Sequence, residues 1–258
     1  MTEREKRPAY RSAAAKLRAA IQRGDYAPGA KLPTDSELAE AMETNRSSIG
    51  QAVRLLISEG LAVRSGRSTY VARIVHKIRR DATARYIRPR REEGAARGAF
   101  DAEIARLGMS PVSQVTVSRV LPPTHVAELL GVETGVTAVV SRARLMLADD
   151  TPVQLATSYL PVDIAGGTQL EQTDTGPGGT KSRLADLGYP QAQITEQIEV
   201  RSPEPEEAAA LRLTEDQRVY EVTHTARTAE GRAVEVAVHV MPTHLWTLSY
   251  TWDLGSTN

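Results

Sequence analysis

Cysteine is absent from the 258 residues, which excludes disulfides and thiolate-held metal sites. No apolar run approaches the length of a membrane span, and the opening Met1-Thr2-Glu3-Arg4 does not read as a signal peptide, so a cytoplasmic location without membrane contact is expected. The five histidines (His76, His125, His224, His239, His244) are dispersed and lack metal-ligand spacing. There is no Gly-x-Ser-x-Gly elbow and no phosphate-binding glycine loop ahead of a helix; Gly176 to Gly179 stands in the wrong context. No metal, cofactor or catalysis is therefore expected. Net charge is also lacking, with 32 basic and 32 acidic residues, but the two signs are segregated. Residues 1–97 carry 21 Lys and Arg against 11 Asp and Glu, and residues 98–258 carry 11 against 21. A basic half joined to an acidic half fits a DNA-binding module attached to one that does not touch DNA.

The stretch from Leu32 to Val71 is the most informative. Thr34 and Glu37 have the spacing of a capping box, and Leu38, Ala41 and Met42 give the helix after it an apolar stripe. Glu43-Thr44-Asn45 reads as a turn, with Asn45 the cap of a second helix whose buried face is Ile49, Ala52, Val53, Leu56 and Ile57. Gly60 stands where a C-cap glycine belongs, and two short β-prone runs flank Ser65-Gly66-Arg67-Ser68. An earlier helix from Tyr10 to Arg23 completes a winged helix-turn-helix, with residues 1–9 a frayed arm. Asn45, Arg46, Ser47 and Ser48 occupy the helix end that would meet DNA, where unpaired N–H groups and the dipole favour phosphate. Arg46 is the natural base or phosphate reader, because its donor fork can engage guanine or phosphate through two bonds. Thr34, Arg54, Arg64, Gly66, Arg67 and Ser68 join the candidate DNA contacts.

Leu32-Pro33-Thr34, Glu37-Leu38-Ala39, Asn45-Arg46-Ser47-Ser48 and Glu59-Gly60-Leu61 resemble the GntR family of bacterial transcription regulators. Gly66-Arg67-Ser68-Thr69-Tyr70-Val71 is similar to that family's Gly-Arg-Gly-Thr-Phe-Val wing. The chain departs from the family at two places. Gly50 stands where a second DNA-contacting arginine is usual, and Ser68 replaces the second wing glycine.

Residues 73–97 read as a basic linker. Lys77, Arg79, Arg80, Arg85, Arg88, Arg90 and Arg91 could track phosphates or simply be solvated, while Ile74, Ile78 and Tyr86 suggest that parts of it dock. From Gly98 onward the pattern is α+β. Helices are expected at Asp101 to Leu107, His125 to Leu130, Ser182 to Leu187 and Glu204 to Leu211. Strands are expected at Gln114 to Val120, Ala138 to Leu147, Val153 to Leu160, Ile194 to Arg201, Val219 to Thr228 and Ala233 to Val240. A shift of 81 residues superposes Leu130 on Leu211, Val153 on Val234, Leu155 on Val236 and Pro161 on Pro242. Such a duplication predicts one antiparallel sheet with pseudo-twofold symmetry, helices on one side and a ligand groove between the copies.

The order of elements, with Ser158-Tyr159-Leu160-Pro161 and Gly231-Arg232-Ala233-Val234-Glu235, resembles the UTRA effector-binding domain of the HutC branch of these regulators, a domain that shares its fold with chorismate lyase. The resemblance implies an Arg-x-Arg pair and a glutamate in members that bind phosphosugars. Here the first arginine falls on Arg144, the second on Met146 and the glutamate on Ala156. Thr180 and Ser182 fall on a serine and a tyrosine of the family pattern. The effector is therefore expected to be less charged than a phosphosugar. Phe100, Arg142, Arg144, Tyr159, Thr180 and Glu235 are the candidate effector contacts, Glu235 because it interrupts an apolar strand. The expectation is a repressor with a winged helix-turn-helix at 1–72, a linker at 73–97 and an effector-binding, dimerising domain at 98–258. It would read a palindromic double-stranded operator as a homodimer, since one winged helix buries too little surface for tight specific binding. The alternatives are a chorismate-lyase-like activity, resting on fold analogy alone, and a DNA-binding protein without a ligand.

Overall fold

The computed structural model describes residues 8–83, 85 and 98–252. Residues 1–7 of the arm expected at 1–9 and the linker residues Tyr86, Arg88, Arg90 and Arg91 lie outside them, while Pro8 caps and Ala9 begins the first helix. The chain divides into two compact units, the second beginning at Ile78.

In the first unit, α1 (Ala9–Arg23) buries Ala13, Ala14, Leu17 and Ile21 and ends on Gly24, whose positive φ (84°) is the left-handed cap that glycine adopts without strain. The helices α2 (Asp35–Ala41) and α3 (Arg46–Ser58) follow, joined by a turn in which Glu43 takes a positive φ. The capping box is present: Thr34 Oγ1 accepts from Glu37 N (3.3 Å) and Glu37 Oε2 accepts from Thr34 N (2.7 Å). Asn45 Oδ1 accepts from Ser48 N at 2.8 Å, starting α3. Strands β1 (Ala62–Ser65) and β2 (Ser68–Val71) form the wing, closed by Ser65 opposite Ser68, with Gly66 at φ 57° in the tight turn. Leu17, Ile49, Val53 and Leu56 meet in one core with Leu38 and Val71, and Arg18 clamps Glu59 at the end of α3 through two bonds of 2.5 and 2.9 Å.

The second unit opens with β3 (Ile78–Asp81), inside the stretch that reads from sequence as a linker. It pairs in parallel with β10 (Trp246–Ser249), so that Ile78 lies opposite Trp246 and both are fully buried. Next come α4 (Ala99–Ala105), β4 (Pro111–Val120), α5 (Thr124–Leu130), β5 (Val139–Ala148) and β6 (Thr151–Pro161). A short α6 (Val162–Ala165), a 3₁₀ turn (Gln169–Glu171) and α7 (Gly179–Asp186) precede β7 (Gln193–Arg201), α8 (Pro205–Leu211), β8 (Val219–Arg227) and β9 (Ala233–Pro242). Six strands form one antiparallel sheet in the order β4-β5-β6-β9-β8-β7.

That order is symmetric about the β6–β9 seam. Thr157 pairs with Val238, 81 residues on, so the pseudo-twofold axis passes between them. The register irregularity recurs within one residue of the equivalent place, at Met146/Leu147 in one copy and Ala226/Arg227 in the other. One face is covered by α5 and α8: Val126 and Leu130 pack with Val139 and Val236, while Leu211 packs with Val219 and Val240. The sequence reading placed helices on that side alone. The opposite face also carries apolar cover, because Ile164, Leu170 and Leu184, from α6, the 3₁₀ turn and α7, pack on Val140 and Leu160. The cavity lies on this second face.

Candidate nucleic-acid interface and ligand cavity

In the first unit, Arg46, Gly50 and Arg54 recur at four-residue intervals along α3 and share one face. Arg46, Ser47 and Arg54 are exposed, as are Arg64 and Arg67 on the wing; Ser48 and Ser68 are half-buried. Thr34 and Asn45 spend their side chains on the two helix caps, so their part is to aim the helix starts. A Cβ at Gly50 would meet Asp35 Oδ2 at 3.7 Å and Arg54 Nη1 at 4.0 Å, which is ordinary contact. The arginines present a cationic surface beside a helix N-terminus, which suits a phosphate backbone.

Two of the linker arginines do not serve that surface. Arg80 is 1% exposed and donates to Glu196 through both Nη atoms, and Arg85 Nη1 donates to Glu103 Oε2 at 2.5 Å. Their role as phosphate trackers is overturned by ion pairs formed when β3 enters the second unit. Arg79 remains exposed and donates to Ser249 Oγ at 2.8 Å.

The second unit contains a cavity of about 510 Å³, whose floor is set by strand register. Arg142, Arg144 and Met146 of β5 stand opposite Ser158, Ala156 and Gln154 of β6. On β9, Ala237 lies opposite Ser158 and His239 opposite Ala156, with Glu235 on the same side. Phe100 of α4 and Thr180 and Lys181 of α7 add to the walls. Five of the six predicted contacts therefore line one cavity. Tyr159 does not. It sits one residue from Ser158 and points to the opposite face, where it packs with Val126 and Leu130. Strand alternation makes Ser158 the cavity residue.

The charged end of the floor is densely bonded. Arg144 Nη2 donates to Ser158 Oγ at 2.6 Å. Arg142 faces loop carbonyls instead of the cavity centre, donating to Leu170 O (2.7 Å), Gln172 O and Thr173 O (3.1 Å). Burial, with Arg144 beside it, lowers the Arg142 pKa to about 10. Burial works against ionisation of Glu235, but Lys181, with Ser158 and Arg144, outweighs it and holds its carboxyl below the usual range. Gln191 Nε2 also donates to Glu235 at 3.2 Å. Burial and Lys181 push His224 down to about 4, so this histidine is neutral. Its Nε2 faces Lys181 Nζ at 3.3 Å and its Nδ1 faces Glu196 at 3.5 Å, which assigns the proton to Nδ1. At the other end, near Arg80 and Arg85, Gln154 Nε2 lies 3.0 Å from His239 Nδ1 and 3.3 Å from Met146 Sδ. Sequence reasoning missed Gln154, Ser158, Lys181, His224 and His239. Polar residues at alternate positions of apolar strands were the available signal for four of them.

Among the described residues no helix is long and apolar enough to cross a membrane, and no group of three or more His, Cys, Asp or Glu could hold a metal ion.

A model of the UTRA domain matches residues 106–245, and one of the bacterial regulatory proteins of the gntR family matches residues 9–71. An uncharacterized HTH-type transcriptional regulator of Streptomyces coelicolor is 34% identical over 241 residues, 91% of this chain and 89% of that one. The HTH-type transcriptional repressor NagR of Bacillus subtilis is 24% identical over 250 residues, 95% of each chain. The crystal structure of PhnF from Mycobacterium smegmatis superposes with a TM-score of 0.58 at 23% identity, covering 94% of this chain and 99% of that one, and so shares the fold. The chain belongs to the gntR family of bacterial regulatory proteins and is a DNA-binding transcription regulator, its second unit a UTRA domain that binds an effector and is not an enzyme.

Proposed function

We propose that this regulator is a cytoplasmic repressor of the HutC branch, binding a palindromic operator as a homodimer and releasing it when a small effector enters the cavity. The observation that carries the ligand half of the reading is the cavity floor itself. A cavity of this size, lined by a few convergent polar groups, is what a small-molecule site requires. The exposed arginines on α3 and the wing carry the DNA half. Two copies follow from the limited surface one winged helix can bury on DNA. The second unit, with β3 added to the expected 98–258, supplies the dimer contact.

The effector is not a phosphosugar. Arg142 is committed to three loop carbonyls, Arg144 to Ser158, and Met146 and Ala156 stand where a second arginine and a sugar-binding glutamate would be needed. One arginine without a partner fork makes a weaker phosphate clamp than two.

Fluorescence anisotropy on the DNA upstream of its own gene, across salt, tests the reading. Tight binding with a steep salt slope, lost in Arg46→Ala, is expected. Binding no better than to random DNA would overturn the regulator's specificity. Tight calorimetric binding of glucosamine-6-phosphate would overturn the effector class.

A further inference from the structure

The exposed stripe of α3 contains a gap. Arg46, Ser47, Gln51 and Arg54 stand out from the helix, while Ile49, Ala52, Val53 and Leu56 face the core. Gly50 lies in the middle of that stripe and offers no side chain. The point its Cβ would occupy is 3.7 Å from Asp35 Oδ2, at the start of α2, and 4.0 Å from Arg54 Nη1. Two opposite charges therefore converge on one bare turn of the helix. Arg54 reaches that turn because helical side chains lean toward the N-terminus, over the residues before them. Asp35 is held there by the capping box of Thr34 and Glu37, which sets the first turn of α2.

A carboxylate on a surface that meets DNA repels phosphate, so its use must lie with the bases. In the major groove a G·C pair offers two neighbouring acceptors, guanine N7 and O6, beside one donor, the cytosine amine. A guanidinium fork next to an acceptor-only carboxylate is the complement of that edge. An A·T pair does not match. Its adenine amine separates adenine N7 from thymine O4, so the fork finds no adjacent pair of acceptors. Asp35 and Arg54 approach one common point, and successive base pairs stand only about 3.4 Å apart, so both groups address the same step of the duplex.

We propose that Arg54 and Asp35 together read one G·C pair in each operator half-site. Arg54 donates to the guanine, Asp35 accepts from the cytosine amine, and Gly50 is bare so that the base edge can approach. This rests on the chain reading a specific operator. Asp35 acts largely by rejection: against an A·T pair its carboxylate meets thymine O4, another acceptor, and is desolvated without a donor.

Selection of binding sites from a randomised duplex pool with the full chain tests it, followed by fluorescence anisotropy on the selected site and on versions with single base-pair changes. One position of each half-site should prefer G·C to A·T by about tenfold, a difference of about 1.4 kcal/mol. At that same position the preference should shrink to within about twofold in both Asp35→Ala and Arg54→Ala. Asp35→Ala should also bind the A·T version more tightly than the wild type does. The salt slope of Arg54→Ala should stay close to that of the wild type, because a base contact and not a phosphate contact is lost. The melting temperature checks that Asp35→Ala folds; Asp35→Ser, which keeps a polar helix start, replaces it if it does not. A preference that survives in either variant would overturn the paired reading. So would an Arg54→Ala that weakens all sites alike and lowers the slope by about one unit. If the wild type selects a sequence that is lost in Arg46→Ala but indifferent to Asp35 and Arg54, the operator reading stands and this one falls. If no sequence is selected, both fall.

Discussion

Arg80 and Glu196, 116 residues apart, meet as a buried pair in which the guanidinium donates to both carboxylate oxygens. Their side chains are 2% and 6% exposed, and Tyr250 donates its hydroxyl to the same carboxylate at 2.8 Å. The pair ties β3 to β7. Removing one member leaves the other charged in a dry interior. Glu196→Ala is therefore expected to cost about 3–5 kcal/mol, read as a fall in the urea midpoint. Arg79→Ala, on the same strand but exposed, should be close to neutral. Equal effects from the two would contradict this account.

Acid should weaken the second unit in two stages. His224 has its pKa lowered from 6.5 to about 4, so the folded state keeps it neutral while the unfolded chain takes up a proton. Stability is therefore lost as pH falls from 6.5 toward 4. Glu196 and Glu235 lie below the ordinary 4.5, Glu196 through His224 and Arg80, which overcome its burial. Their contribution is present above that value and disappears below it. The melting temperature should fall between pH 7 and 5, and His224→Gln should make that upper part of the slope shallower, with buried His239, also held neutral, supplying the remainder.

Gly50 lies inside α3 with room for a side chain. Gly50→Ala should stabilise the first unit by about 0.8–1 kcal/mol, since its Cβ makes only ordinary contact with Asp35. Gly50→Arg should add a cation in line with Arg46 and Arg54. Tighter DNA binding and a salt slope steeper by about one unit are expected. An unchanged slope would mean that this face of α3 does not meet phosphate.

Arg142 holds the loop before α7 by three carbonyls. Arg142→Met, which keeps the apolar stem, should release those carbonyls and speed proteolysis between Leu170 and Thr173. Tyr159→Phe, on the other face of the sheet, should change neither proteolysis nor ligand binding. A loop equally resistant in Arg142→Met would show that Leu170, buried under the sheet, is enough to hold it.

The winged helix was legible because its determinants are local. Thr34 with Glu37, Asn45 with Ser48 and Gly66 at the wing each act within four residues, and the apolar stripes repeat at helical period. The duplication was legible for a related reason: a repeat displays its own symmetry, and the Thr157–Val238 pair follows from the 81-residue shift. Tertiary structure alone decided three other matters. It paired β3 with β10 across the length of the second unit, turning Arg80 from a candidate phosphate contact into a buried ion-pair partner. It chose which sheet face α5 and α8 cover, and a strand's period of two then sent Tyr159 to the core and Ser158 to the cavity. It brought Gln154 beside His239, 85 residues on, a meeting with no local signal because strand register, not chain proximity, sets which side chains share a floor.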